Sequence, residues 1–295
     1  MKNIGARMAA LWLKIRAALP ENALADSGFL CGMVVLASLP YLTGLGFYWN
    51  DWHWLGHLDM GSDPSLSGLF DRMSKYGDWI RKQPVKVLLH STMYWCFGLS
   101  PLGYHVLNLL VAISNVLLFY FVLRYLGQER ILSFSAAVLF GVMPHYSSAR
   151  FSIQGIIYGV SITFYFLSLL ADLRAMRSGE TRFWRWKIAG VAAMVCSTLT
   201  HSIATPFFLL TPVFVWYRER RRRIGESADT FSLRRLSMTS AFKRKFTLLI
   251  GLNVVALSAV LLFKLLSSVW WGNASAAKIA GNAVKTSMKM LTPPY

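Results

Sequence analysis

Carboxylates are scarce in this chain: 13 aspartates and glutamates stand against 31 lysines and arginines, a formal charge of +18 over 295 residues. Charge of either sign is thin, at 15% of residues, while 55% are apolar, and that balance excludes an ordinary soluble domain of this size. The chain reads as an all-α integral membrane protein. Cysteine is almost lacking too. Cys31, Cys96 and Cys196 stand far apart in or beside apolar segments, which excludes a disulfide framework or a zinc set and leaves three small hydrophobes. There is no internal repeat and no low-complexity linker. Residues 1–19 are basic and amphipathic but lack the compact apolar core and small-residue cleavage site of a removed signal, so they read as part of a cytoplasmic segment, 1–26, lying along the inner leaflet.

What the chain has is apolar length. A hydrocarbon core about 30 Å thick needs ~20 mostly apolar residues per helix. Residues 28–48, 104–126, 131–144, 155–173, 188–206, 206–216 and 246–270 reach or approach that length, which predicts about seven transmembrane helices. Lysine and arginine mark the cytoplasmic side of such a protein. Lys2, Arg7, Lys14 and Arg16 precede the first span and put the amino terminus in the cytoplasm; the inner loops that follow, 124–130, 174–187 and 218–245, hold most of the other basic residues. The positive charge therefore reports topology and attraction to anionic membrane lipid at the cytoplasmic loops, and not a nucleic-acid footprint. The whole chain, 1–295, reads as one membrane module, with surface helices in an outer loop at 50–103, a basic cytoplasmic loop at 218–245 and an outer segment at 271–295.

On this topology the polar chemistry is lopsided. Asp51, Asp59, Asp63, Asp71 and Asp78 fall in the first outer loop, and the other carboxylates map to the inner side. His53, His57, His90, His105, His145 and His201 all fall on the outer half, which points to one polar site facing away from the cytoplasm, though histidine and tryptophan also favour interfaces for structural reasons. Asp51 lies in the run Phe47-Tyr48-Trp49-Asn50-Asp51-Trp52-His53-Trp54, with no lysine or arginine beside it in sequence. A charge there costs up to ~3 kcal/mol if it sinks toward the bilayer centre, so it is either an acid–base group or a helix cap. Residues 85–99 are short, apolar and notched by His90, Ser91 and Thr92, which predicts a helix on the outer leaflet. Arg81, Lys82 and Lys86 would then project at headgroup level, to pair with a phosphate or to snorkel.

Several short runs follow one another in a definite order. Asn50-Asp51-Trp52 comes after the first span, Arg81-Lys82-Gln83-Pro84 enters the surface helix, and Gly98-Leu99-Ser100-Pro101-Leu102-Gly103-Tyr104-His105 opens the second span. Gly141-Val142-Met143-Pro144-His145 and Ser197-Thr198-Leu199-Thr200-His201-Ser202 come later. From about residue 28 onward this order resembles the membrane module of GT-C superfamily glycosyltransferases, most nearly the polyprenyl-phosphate-sugar branch that includes the O-mannosyltransferases with transmembrane and tetratricopeptide repeats. The resemblance implies a GT-C-like fold and an inverting transfer of sugar from a polyprenyl-phosphate donor to an acceptor glycan, protein or lipid on the extracytoplasmic face. It implies Asp51 as the general base, a role worth ~10²–10⁴-fold. It also implies cations that steady the departing lipid phosphate: Arg81 and Lys82 first, then Arg150, with His105 and His201 lining the same pocket. The chain departs from the pattern where Asn50 precedes Asp51 in place of a second acid, and where Thr200-His201-Ser202 replaces a Ser-Lys-Glu-like triplet. It stops as residues 283–292 begin an amphipathic outer segment, which predicts a fragment or one portion of a split enzyme.

Two other readings stay open. One is a non-catalytic membrane subunit that keeps this scaffold and binds lipid or a partner subunit. The other is an outer-face metal or haem protein, for which His53 and His57, four residues apart, are the starting pair. A transporter would place ionisable residues at mid-membrane depth, and Lys264, near an outer end, is the only such cation in the spans. The transferase reading requires no cofactor and is compatible with a divalent cation near Asp51. The lack of long linkers favours a bacterial inner (cytoplasmic) membrane.

Overall fold

The structure, a computed structural model, describes residues 22–42, 45–77, 82–143, 152–226 and 239–291. Among them there are helices and no strand. Helix α1 (Ala23–Leu42) leads to three shorter helices, α2 (Trp49–Asp59), α3 (Leu66–Lys75) and α4 (Pro84–Phe97), and then to α5 (Pro101–Tyr125), α6 (Arg130–Val142), α7 (Ile153–Arg177) and α8 (Glu180–Thr200). A 3₁₀ turn at Ser202–Ala204 precedes α9 (Thr205–Glu226) and α10 (Ser240–Leu291). Residues 283–291 continue α10 and do not start a separate helix.

Among the described residues four helices are long and apolar enough to cross a membrane: α1, α5, α7 and the Ser240–Ser267 part of α10. The count of about seven is met only in part, for a local reason. Helix α6 has 13 residues, while α8 carries Arg182, Arg185 and Lys187 in its first half and α9 ends in Arg218-Glu219-Arg220-Arg221-Arg222-Arg223. The helix ends follow the sequence. Pro101 opens α5, where a missing N–H costs nothing. Just beyond its last turn Gly127 takes φ +83, a left-handed conformation that a Cβ would strain. Between α8 and α9, extended His201 accepts the Ile203 amide on Nδ1 at 3.1 Å and so caps the turn.

The most enclosed helix is α7: 61% of its span is buried, against 28% for α1 and α5 and 22% for α10. Tyr165, Phe166, Leu169 and Leu173 on α7 pack against Met194 of α8, Phe208 and Val215 of α9 and Leu249 of α10. Leu30, Val116, Tyr120 and Ala137 join α1, α5 and α6 in a second cluster. Phe29, Leu36, Ile131, Leu209, Val255 and Leu265 stay exposed, an apolar surface that water disfavours and lipid accommodates.

Contacts sort the bundle into two ends. At one, Asp26 binds Arg130 and Tyr120, Arg221 binds Gln128, Arg244 binds Glu180, and Lys245 donates to the Ser178 carbonyl. At the other, His105 meets Leu45, Asp51 meets Ser152 and Ile153, and Lys264 donates to the Thr198 carbonyl at 2.5 Å and to Ser202 Oγ at 2.9 Å. One expectation is corrected between these ends. Lys187, expected in the inner loop 174–187, and Asp172, expected on the inner side, lie inside the bundle at 1% and 0% side-chain exposure, bonded at 2.8 Å. Asn253 closes the triad, accepting from Lys187 Nζ at 2.6 Å and donating to Asp172 Oδ2 at 2.9 Å. Lys264 is therefore not the only cation drawn into the bundle. The pairing escapes hydropathy because the charges, 15 residues apart, meet only when α7 and α8 fold back on each other.

Candidate functional site

Helices α2, α3 and α4 form a layer over the Asp51 end. Leu69 and Met73, four apart on α3, turn inward with Trp54 and Leu58 of α2 and Val87 of α4. Leu55 and Met93 anchor the layer on Tyr104, Ile153, Ile156 and Ile157 of α5 and α7. Between layer and bundle lies a cavity of about 630 Å³. Asn50, His53, Trp54 and His57 line it from α2, Lys86 from α4, Gln154 and Tyr158 from α7, and Tyr76 and His201 from the connecting segments.

Lys86 is the one lysine or arginine among the described residues of this wall. It is fully buried, with its ammonium 5.0 Å from the Trp54 ring centroid, and burial lowers its pKa to about 8. One turn on, His90 stacks on Trp54 at 5.1 Å, and burial together with the Lys86 charge holds it neutral with a pKa of about 3. Behind Trp54, His90 does not reach the cavity, but His53, His57 and His201 line it. His53 and His57 meet the Tyr76 ring edge-on at 5.2 and 4.7 Å, His57 Nε2 lies 2.9 Å from the Arg72 carbonyl, and His201 meets Tyr158 at 4.6 Å. Tyr158 also lines a second, apolar cavity of about 170 Å³, walled by Val111, Val116, Phe140, Gly155 and Gly159 between α5, α6 and α7.

Asp51 stands behind this wall rather than on it. It is fully buried. Its Oδ2 accepts the Tyr48 amide at 3.1 Å, and its Oδ1 accepts the Ile153 amide at 2.9 Å and the Ser152 hydroxyl at 3.3 Å. The carboxylate thus ties the first turns of α2 and α7, at the partially positive N-terminus of each. Burial raises its pKa and these hydrogen bonds oppose the rise. Its neighbours Asn50 and Gln154, the latter next to the donor Ile153, reach the cavity.

Of the other expected site residues, Arg81 and Arg150 lie outside the described residues, as does His145. Lys82 is half-buried before α4 and is not among the described residues lining the cavity. His105 is buried with Nε2 3.2 Å from the Leu45 carbonyl, where it holds the segment between α1 and α2. His201 does reach the cavity. Lys86, expected to project at headgroup level, turns inward instead, because it shares with His90 the face of α4 that packs on Trp54. That i, i+4 pair was the signal available in sequence. Among the described residues no three His, Cys, Asp or Glu side chains are grouped to hold a metal. No protein-family model, curated protein or solved structure matches the chain.

Proposed function

We propose that this protein is a membrane glycosyltransferase that takes its sugar from a polyprenyl-phosphate donor in the cavity beside Asp51. The observation that carries this reading is the meeting, at Tyr158, of a polar cavity holding a buried cation with an apolar cavity between helices. A single-chain lipid phosphate requires such a pair: a charged compartment for its headgroup and a dry one for its chain. On this reading α1 and α5 to α10 supply seven crossings of a GT-C-like module in a bacterial inner membrane. The basic end faces the cytoplasm by the positive-inside rule, and the cavity faces out.

Lys86 takes the place first assigned to Arg81 and Lys82 as the described cation nearest the phosphate, and His53 and His201 offer hydrogen bonds to sugar hydroxyls. The acceptor hydroxyl oxygen attacks the anomeric carbon as the bond to the phosphate oxygen breaks. Asp51 takes the hydroxyl proton, and Lys86 steadies the negative charge left on the lipid phosphate. For Asp51 to reach the acceptor, the first turn of α7 must release its Ile153 and Ser152 bonds. That requirement favours one alternative, a non-catalytic subunit that binds the lipid and keeps Asp51 as a helix tie.

The test is transfer of radiolabelled sugar from a polyprenyl-phosphate donor in membranes carrying the protein. The transferase reading expects wild-type turnover, a loss of ~10²–10⁴-fold in Asp51→Asn and a raised donor KM in Lys86→Gln. Donor binding by wild type without transfer leaves the non-catalytic subunit, and absence of both ends the lipid-phosphate reading.

A further inference from the structure

At the opposite end of the bundle, and independently of the reading above, we infer a second anion site that takes the phosphate headgroup of an acidic membrane lipid. A cavity of about 320 Å³ opens there between the last turns of α7 and α9 and the first turn of α10. Arg177, Arg218, Arg222 and Lys245 line it, with Glu219 as the one carboxylate among the described lining residues. Glu219 is already engaged by Arg222 at 3.0 Å and Arg223 at 2.9 Å, so among the described lining residues four cations share one carboxylate. Arg174, Arg177 and Arg218 crowd one ring, with guanidinium carbons 5.3, 6.0 and 5.8 Å from the centroid of Tyr125. A ring face offsets part of the repulsion among such cations, and an anion held between them offsets more.

Two features select a lipid phosphate. Guanidinium forks match phosphate oxygens in a bidentate geometry, and Thr239 and Ala241, at the partially positive start of α10, line the same cavity. The rest of the wall is apolar, made by Leu173, Val215 and Phe242 from the core and by half-buried Met176. A soluble anion gains nothing from that surface, whereas an acyl chain does. Basic pockets between membrane helices are the usual setting for acidic headgroups.

The experiment follows thermal unfolding of the full chain in neutral detergent with short-chain phosphatidylglycerol, short-chain phosphatidylcholine or inorganic phosphate added at equal concentration. Phosphatidylglycerol is expected to raise Tm in wild type and in Lys86→Gln, while phosphatidylcholine and inorganic phosphate leave it unmoved. Arg218→Gln should bind phosphatidylglycerol about fivefold more weakly. The double variant Arg177→Gln/Arg222→Gln, both side chains exposed, should lose more and keeps the test open if Arg218→Gln does not fold. Three outcomes overturn the proposal: an equal shift with phosphatidylcholine, a shift with inorganic phosphate as large as with the lipid, or a phosphatidylglycerol shift that survives the arginine changes and is lost in Lys86→Gln.

Discussion

Asp51 and Asp172 are both fully buried carboxylates, yet their surroundings answer the charge in opposite ways. Asp172 meets a buried ammonium, Lys187, and a carboxamide, Asn253, that bonds both partners. Charge is cancelled on the spot, and α7, α8 and α10 are held in register. The described donors to Asp51 are two amides and a hydroxyl, dipoles that stabilise a carboxylate without cancelling its charge. A cavity with its own buried cation lies one residue away, past Asn50. A carboxylate that is neutralised belongs to the scaffold, and one held by dipoles, with no cation bonded to it among the described residues, keeps the capacity to exchange a proton. That difference is why Asp51, and not Asp172, is the candidate base.

The contrast yields four expectations in descending size. Asp172→Ala strands a buried ammonium and should cost ~3–5 kcal/mol in denaturant titration of the detergent-solubilised protein, while Asp172→Leu with Lys187→Met recovers most of it. A loss under ~1 kcal/mol in the single variant would mean that water reaches the triad. Asp51→Asn keeps the shape but sets an NH₂ against the Tyr48 amide, so ~1–3 kcal/mol should be lost. Unchanged stability there would detach Asp51 from the α2–α7 tie.

The third expectation concerns pH. Lys86 falls from an ordinary 10.5 to about 8 in the folded protein. Below about pH 8 it is charged both folded and unfolded, and the cost of burying that charge is present in full. Between about 8 and 10.5 the unfolded chain holds a proton that the folded chain has shed, so stability rises with pH across that window. Binding of a phosphate headgroup should run the other way, weakening as pH passes about 8, and Lys86→Gln should flatten both curves. The smallest effect belongs to the exposed pair Lys75–Asp71, at 63% and 59% side-chain exposure: Asp71→Asn should change stability by no more than ~0.5 kcal/mol.

Much of the frame was legible in sequence because it is written locally. Apolar runs, Pro101 at a helix start and Gly127 beyond a helix end announce themselves within a few residues. The basic runs 124–130, 174–187 and 218–245 were also visible in sequence, and contacts such as Arg221 to Gln128 and Arg244 to Glu180 bring them together. The site was less legible, because its decisive contacts are distant: the Ile153 amide lies 102 residues from Asp51, and Trp54 reaches Lys86 only after α2 and α4 pack together. A run such as 174–187 looks like a charged loop until two helices are laid side by side and its single lysine, Lys187, is found facing inward.

The central claim is that the Asp51 cavity faces away from the cytoplasm and receives a lipid phosphate. The most direct test replaces Cys31, Cys96 and Cys196 with serine, introduces His53→Cys on the cavity wall or Arg220→Cys at the basic end, and applies a membrane-impermeant maleimide. The account predicts labelling of His53→Cys in intact cells, slowed by added polyprenyl phosphate, with Arg220→Cys labelled only in inverted vesicles. His53→Cys that reacts only in inverted vesicles would contradict it.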